Sequence, residues 1–246
     1  MIKFFRKIRQ KLLSEGKTGK YFKYAIGEII LVVVGILIAL SINNWNEQRK
    51  EIIEELKVLS EIQFNLKESI KEVKSVLQAN EKDLSMYISL LNHVEQKLPY
   101  STELDTAFNR IHSWSSPYLT STAYESLKSN GAKLVRNDSL RMQIINMFEN
   151  EMPYLINDWD KSEWKDSESV VTPYFSKHFA KQIDKNTAKP NNYEELIKDP
   201  EFTNLLRLII SSRKWGNNSC RNIIKRIDAL IESIENELIQ RDYDEN

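Results

Sequence analysis

Glu28 is the one charge inside an otherwise apolar run, AIGEIILVVVGILIALSI, at residues 25–42. A carboxylate about one helical turn inside a membrane boundary can carry a proton, ligate an ion or pair with a base on another span. It can equally snorkel toward Lys20 or Lys23 and do no more than that. Gly27, Leu31, Gly35 and Ala39 recur at four-residue steps in the same run, and Gly35-x-x-x-Ala39 is a spacing that lets two helices pack closely. A second set of residues is aromatic. Trp114, Tyr118, Tyr124, Tyr154, Trp159, Trp164, Tyr174 and Phe175 are interleaved with Asp158, Asp160, Glu163 and Asp166. Rings alternating with carboxylates fit either a core-facing helix or a groove for carbohydrate or peptide, with Trp114, Tyr118, Tyr124, Trp159 and Trp164 as its candidate surface.

Other chemistry is poorly served. The single Cys220 has no partner for an internal disulfide, and His93, His112 and His178 share no metal-ligand spacing. The acidic runs at 158–166 and at Asp242, Asp244 and Glu245 lack the spaced ligands of a calcium loop and read as solvated surface. No Ser-His-Asp context, glycine-rich phosphate loop or paired-histidine metalloprotease spacing occurs. The expectation is a protein without catalytic residues, cofactor or metal.

These residues need elements to hold them, and composition bounds what those are. The 246 residues are 41% hydrophobic and 28% charged, which is the balance of a folded chain, and six glycines with six prolines leave few turns for a many-stranded fold. Charge is zero overall but unevenly placed: residues 1–24 carry a seven-charge positive excess that the remainder cancels. The apolar run covers about 27 Å as a helix, close to a ~30 Å hydrocarbon core. Tyr21, Phe22 and Tyr24 precede it and Trp45 follows, where amphipathic rings settle at membrane interfaces. A secretory signal usually has a shorter apolar region and a small-residue cleavage site, so the run reads as an uncleaved transmembrane helix over 24–43. Positive charge before the run places the N-terminus in the cytoplasm and residues 44–246 outside it. Within 1–13, Met1, Phe5, Ile8 and Leu12 share a face opposite Lys3, Arg6, Lys7, Arg9 and Lys11. That amphipathic helix suits anionic inner-leaflet lipid; nucleic acid is the weaker partner for a segment tied to a membrane. Gly16 and Gly19 are expected to bend the chain into the span.

The block MIKFFRKIRQKLL followed by YAIGEIILVVVGILIALSINNWN, and more faintly Tyr124-Glu125-Ser126-Leu127-Lys128-Ser129-Asn130-Gly131, resembles an uncharacterised family of single-span inner-membrane proteins from Bacteroidota. The strong resemblance covers about a fifth of the chain. It implies a Gram-negative inner-membrane protein, residues 1–23 cytoplasmic and 44–246 a periplasmic helical domain, and it implies no activity.

Beyond the span, steps of four and three pick out Ile52, Leu56, Leu59, Gln63, Leu66, Ile70, Val73, Leu77, Asn80, Leu84, Tyr87, Leu91, Val94 and Leu98. This register predicts one very long helix, about 45–98, able to continue out of the membrane. Gln63 and Asn80 within it either fix a self-associating coiled coil or face gaps in an intramolecular bundle. Thr122 with Glu125 predicts a capping box, Asn130-Gly131 a stop, Asn137 or Asp138 a cap, Pro153 a kink and residues 184–193 a loop. Asp199-Pro200-Glu201 predicts a helix start, Trp215-Gly216-Asn217 a break, and Ile224, Ile227, Ile231, Ile234 and Leu238 a last apolar stripe lying along the long helix.

The fold class expected is therefore all-α: an N-terminal amphipathic helix, one transmembrane helix and an extracytoplasmic antiparallel helical bundle. The function expected is a membrane-anchored periplasmic scaffold or partner-binding protein, with a homo-oligomer or a second membrane protein as partner. The alternative is a sensory or regulatory subunit relaying an envelope signal through another membrane protein, since few residues precede the span to form an output domain. An enzyme is the remaining alternative and the least supported.

Overall fold

The computed structural model describes Arg6, Ser14 and residues 18–245, and the chain is 84% helical with one small two-stranded sheet, which makes it all-α. The amphipathic face expected over 1–13 and the bend at Gly16 lie outside the described residues, Arg6 apart. A long helix, α1, runs Thr18–Glu95, so Gly19 lies inside a helix and is no bend. A lone glycine costs a helix only about 1 kcal/mol, too little to stop so long an apolar pattern. The helix ends a few residues before the expected boundary. Lys97 takes φ 52°, its N–H reaches Val94 O at 3.0 Å and the Leu98 N–H reaches His93 O at 3.2 Å. Those two bonds close the last carbonyls in a Schellman motif.

The chain divides into two compact units, Met1–Glu54 and Glu55–Asn246. In the first, α1 carries an eighteen-residue window of mean hydropathy 2.8, none of it buried. Val34 is 46% exposed and Leu31 65%, with Ile29, Ile36 and Leu40 between. By length and composition this helix can cross a membrane, and so continuous an apolar surface is unstable in water unless lipid or protein covers it.

In the second unit, two apolar cores are stacked along the helices and a polar layer separates them. The remaining elements are α2 (Asp105–Arg110), α3 (Thr122–Asn130), α4 (Asp138–Asn146), α5 (Met152–Tyr154), α6 (Lys161–Asp166), α7 (Thr172–His178), strands β1 (Phe179–Gln182) and β2 (Thr187–Pro190), α8 (Tyr193–Leu196) and α9 (Pro200–Glu245). Leu59, Ile62, Leu66 and Val73 of α1 meet Leu127 of α3, Ile144 of α4 and Ile223, Ile227 and Ile234 of α9 in the first core. Tyr87, Leu90 and Val94 of α1 meet Phe108, Tyr174, Phe179, Phe202 and Leu206 in the second. Early α1 residues thus face late α9 residues, and late α1 residues face early ones. The two helices are antiparallel, and cross-links follow the same order: Glu55–Arg241 at 3.9 Å, Glu81–Arg221 at 2.5 Å, Glu95–Arg207 at 2.8 Å. The heptad stripe of α1 is therefore spent inside the chain, with Asn80 fully buried in the layer between the cores.

Several local expectations change on contact with tertiary structure. The capping box at Thr122 does not form; Asn65 of α1 reaches across instead, its Oδ1 accepting from the Ala123 N–H at 2.9 Å and the Thr122 hydroxyl at 3.1 Å. Gly131 does stop α3, at φ 99°. Asn137 caps α4, accepting from the Leu140 N–H at 3.1 Å. Pro153 does not break the helix. Between α4 and α7 the backbone stays helical and widens into π turns at Met147–Glu151, Leu155–Asp160 and Ser167–Val171. Two of these immediately precede α5 and α7, which carry Pro153 and Pro173 in their first turns. A π turn changes the hydrogen-bond register ahead of each proline, so the helix runs on through both residues.

Within residues 184–193, read as a loop, Thr187–Pro190 is instead strand β2, paired antiparallel to β1 in the register Phe179 to Pro190 across a turn at Asn186, φ 50°. Asn109 of α2 donates to Asn186 O at 3.0 Å and holds that turn. The start of α9 is as expected, Asp199 accepting from the Glu201 N–H at 2.8 Å. The break at residues 215–217 is absent. A side chain on Gly216 would place its Cβ 2.1 Å from the Trp159 indole, so the glycine serves a close approach inside a continuous helix.

Candidate functional site

The polar layer holds a loop, and the loop makes a groove. Asn80 pairs with the backbone of Ser115 in both directions: its amide donates to Ser115 O at 3.0 Å and its Oδ1 accepts from the Ser115 N–H at 3.0 Å. Tyr87 donates its hydroxyl to Arg110 O at 2.7 Å. Arg110 in turn grips Asp83 with two guanidinium nitrogens, the Nε at 3.2 Å. At the centre lies Arg213, 1% exposed, donating from Nη1 to Asn80 Oδ1 at 2.6 Å and from Nη2 to Ser113 O at 3.3 Å. Its Nε sits 3.4 Å from Glu163 Oε1, and its Cζ is 5.9 Å from the centroid of the Tyr87 ring. Burial pushes the Glu163 carboxyl up, and the Arg213 charge and the Trp159 indole N–H oppose that rise. Four helices and a loop are thus tied at one level.

Held this way, the loop presents His112, Trp114, Ser116 and Tyr118 toward α6 and the π turn after it. Asp160 accepts from the Trp114 Nε1–H at 2.8 Å and from the Ser116 hydroxyl at 2.5 Å, so one carboxylate orients two residues of the groove. Trp114 meets Trp164 edge to face, centroids 6.0 Å apart. Together with Ser113, Ser167, Glu168 and Thr172 they line an open groove of about 580 Å³. Trp164 is 53% exposed and Tyr118 81%. Burial holds the His112 imidazole below its ordinary pKa, with Lys181 and Arg110 lowering it further, so it is neutral at pH 7.

Three of the five aromatic residues singled out by the sequence, Trp114, Tyr118 and Trp164, meet here. The other two do not. Trp159 is fully buried against Gly216 and donates to Glu163 Oε1 at 3.2 Å. Tyr124 stacks on Phe148 at 4.7 Å, and its hydroxyl donates to Glu149 at 2.8 Å beside Lys128. Burial first, then the bond to Glu149, pushes that phenol up to about 12. Glu28, Gly27, Gly35 and Ala39 lie on α1 in the other unit; Glu28 is half-buried, and a Cβ at Gly27 or Gly35 would meet nothing within 4 Å. Cys220 is buried, its thiol pushed up to about 12 by that burial, which leaves it without thiolate character. Among the described residues no group of three or more His, Cys, Asp or Glu could hold a metal ion.

Sequence reasoning missed Asp160, Glu163 and Arg213 as a set. A signal existed: Arg213 and Asn217 occupy core positions of the stripe through Leu206, Ile209, Ile210, Cys220 and Ile223, where apolar residues are the rule.

The fold and groove define an all-α protein with a long apolar helix near its N-terminus and an exposed aromatic site on a helical unit. The chain belongs to a family of unknown function, DUF6090, which matches residues 28–214 and so takes in most of the apolar stretch and the whole groove. No curated protein and no solved structure matches the chain.

Proposed function

We propose that this protein is a membrane-anchored binding module, with residues 24–43 in the inner membrane, residues 1–23 on the cytoplasmic side against anionic lipid, and residues 44–246 presenting the aromatic groove in the periplasm. The observation that carries the reading is the groove itself. Trp164 and Tyr118 stay in solvent while the neighbouring Trp159 is fully buried, and the loop beneath Tyr118 is tied down by Asn80, Tyr87 and Arg213. Exposed rings on a loop whose backbone is tied to buried side chains are what a binding surface requires. On the apolar part of α1, Gly27, Gly35 and Ala39 leave room for a second helix, from another copy or another membrane protein. Glu28 is half-buried on the same helix, and pairing with a base on that neighbour is its proposed role.

The topology has a direct test. A Tyr118→Cys, Cys220→Ser variant should react with a membrane-impermeant maleimide in cells whose outer membrane alone is permeabilised, and should stay in the pellet after carbonate extraction. Labelling only after the inner membrane is broken overturns the orientation; release by carbonate overturns the anchor.

A further inference from the structure

We propose that the groove binds a neutral oligosaccharide, an inference that rests on the binding-module reading and names its ligand class. Sugar rings present a flat face of C–H groups and a rim of hydroxyls. A protein site for them needs exposed aromatic faces beside short hydroxyl and carboxylate side chains. Trp164 and Tyr118 supply the faces, 53% and 81% exposed. Ser113, Ser116, Ser167 and Thr172 line the same groove; the first three already donate, to Arg110 O, Asp160 and His112 O, which leaves their oxygens to accept from sugar hydroxyls, and Glu168 adds a further acceptor.

Charge narrows the ligand. Glu168 is the only formally charged side chain among the groove's lining residues, and none of them is Lys or Arg. Of the cations around it, Arg213 is 1% exposed and committed to Asn80, Ser113 and Glu163, Arg110 is held by Asp83, and Lys181 acts on the groove only at its His112 end. Along the lining itself an anionic ligand would meet the Glu168 carboxylate and no cation, which disfavours it against a neutral one. A small cation would meet aromatic faces and one carboxylate, but it would use none of the four hydroxyls. A peptide bound as an added strand needs a sheet edge, and the only sheet among the described residues, β1 with β2, contributes no residue to the groove's lining; a proline-rich peptide, which docks on aromatic grooves without a sheet, is the competitor that the test includes.

The groove of about 580 Å³ is open to solvent rather than an enclosed cavity, which suits a ligand that extends beyond it. Its base is set before binding: Asp160 fixes Trp114 and Ser116, the Ser167 hydroxyl donates to His112 O at 3.2 Å, and Asn80 fixes Ser115. Little ordering remains to oppose association.

The test uses the full chain in a detergent without a sugar headgroup, titrated with cellohexaose and chitohexaose and followed by tryptophan fluorescence and calorimetry. Saturable binding is expected. Trp164→Ala and Tyr118→Ala should each weaken it about tenfold, the scale of one lost ring contact, while far-ultraviolet spectra and thermal midpoints stay at the parent values. A sulfated oligosaccharide, tetramethylammonium chloride and a proline-rich decapeptide run alongside. No saturable binding of either sugar at millimolar concentration overturns the proposal. So does sugar binding undiminished in both variants, or saturation by ammonium, peptide or sulfated sugar in place of the neutral ones. If the sugars fail while groove residues still cross-link to a protein in cells, the saccharide is excluded and the binding module stands.

Discussion

Arg213→Leu should destabilise the helical unit by about 3–5 kcal/mol, because it leaves the Glu163 carboxylate buried without its cation. Glu163 is 5% exposed and Arg213 1%, so solvent does little to screen the loss. The substitution also removes donors from Asn80 Oδ1 and from Ser113 O, which unties the loop that carries Trp114 and Tyr118. Urea unfolding of the solubilised protein, read by tryptophan fluorescence, measures the cost. Pairing Arg213→Leu with Glu163→Leu should recover much of it, since replacing a buried ion pair by packed apolar groups is often neutral. A single variant as stable as the parent would show that the ion pair is not what joins the helices at this level.

Gly216→Ala is the second large effect. Its methyl would stand 2.1 to 2.5 Å from three atoms of the Trp159 ring, and a fully buried indole has no empty space to retreat into. On helix propensity alone the change should stabilise by about 1 kcal/mol. Overpacking should reverse that sign and cost about 2–3 kcal/mol net. Adding Trp159→Phe to Gly216→Ala should recover part of the loss by giving the methyl room. A thermal midpoint raised by Gly216→Ala alone would mean that Trp159 and α9 are not in contact.

These two residues also mark where the sequence stops being readable. The long helix was legible because its apolar residues keep one register with no glycine or proline between Ile52 and Leu98, and local pattern and tertiary packing there agree. Gly216 carries the same letter as a helix stop but answers to a ring on another segment, a contact that no local pattern encodes. The passage of the helix through Pro153 and the strand β2 inside the 184–193 loop reading were hidden for related reasons. A π turn absorbs the proline, and strands of four residues are too short for their alternation to rise above that of a loop.

The groove was half legible. Aromatic density located the right stretch of chain, but counting rings does not sort those facing in from those facing out. Trp159 and Trp164 are five residues apart, on opposite sides of the join between a π turn and α6, so one is buried and the other is in solvent. What fixes the groove is the pairing of Asn80 with Ser115, thirty-five residues apart, and of Arg213 with Ser113, a hundred apart. Only the fold brings those together. The exposed apolar stretch of α1, by contrast, needed no fold to be seen, since its hydropathy is continuous along the chain.

The central claim is that the groove is the face at which this anchored protein meets its ligand. Site-specific photo-cross-linking in intact cells tests it most directly, with a benzophenone amino acid placed at Tyr118, at Trp164 and, as a control on an equally open surface, at Ile183, which is 85% exposed on the hairpin. The account predicts discrete, light-dependent adducts from 118 and 164 and none from 183. Adducts from 183 with none from the groove positions would contradict it.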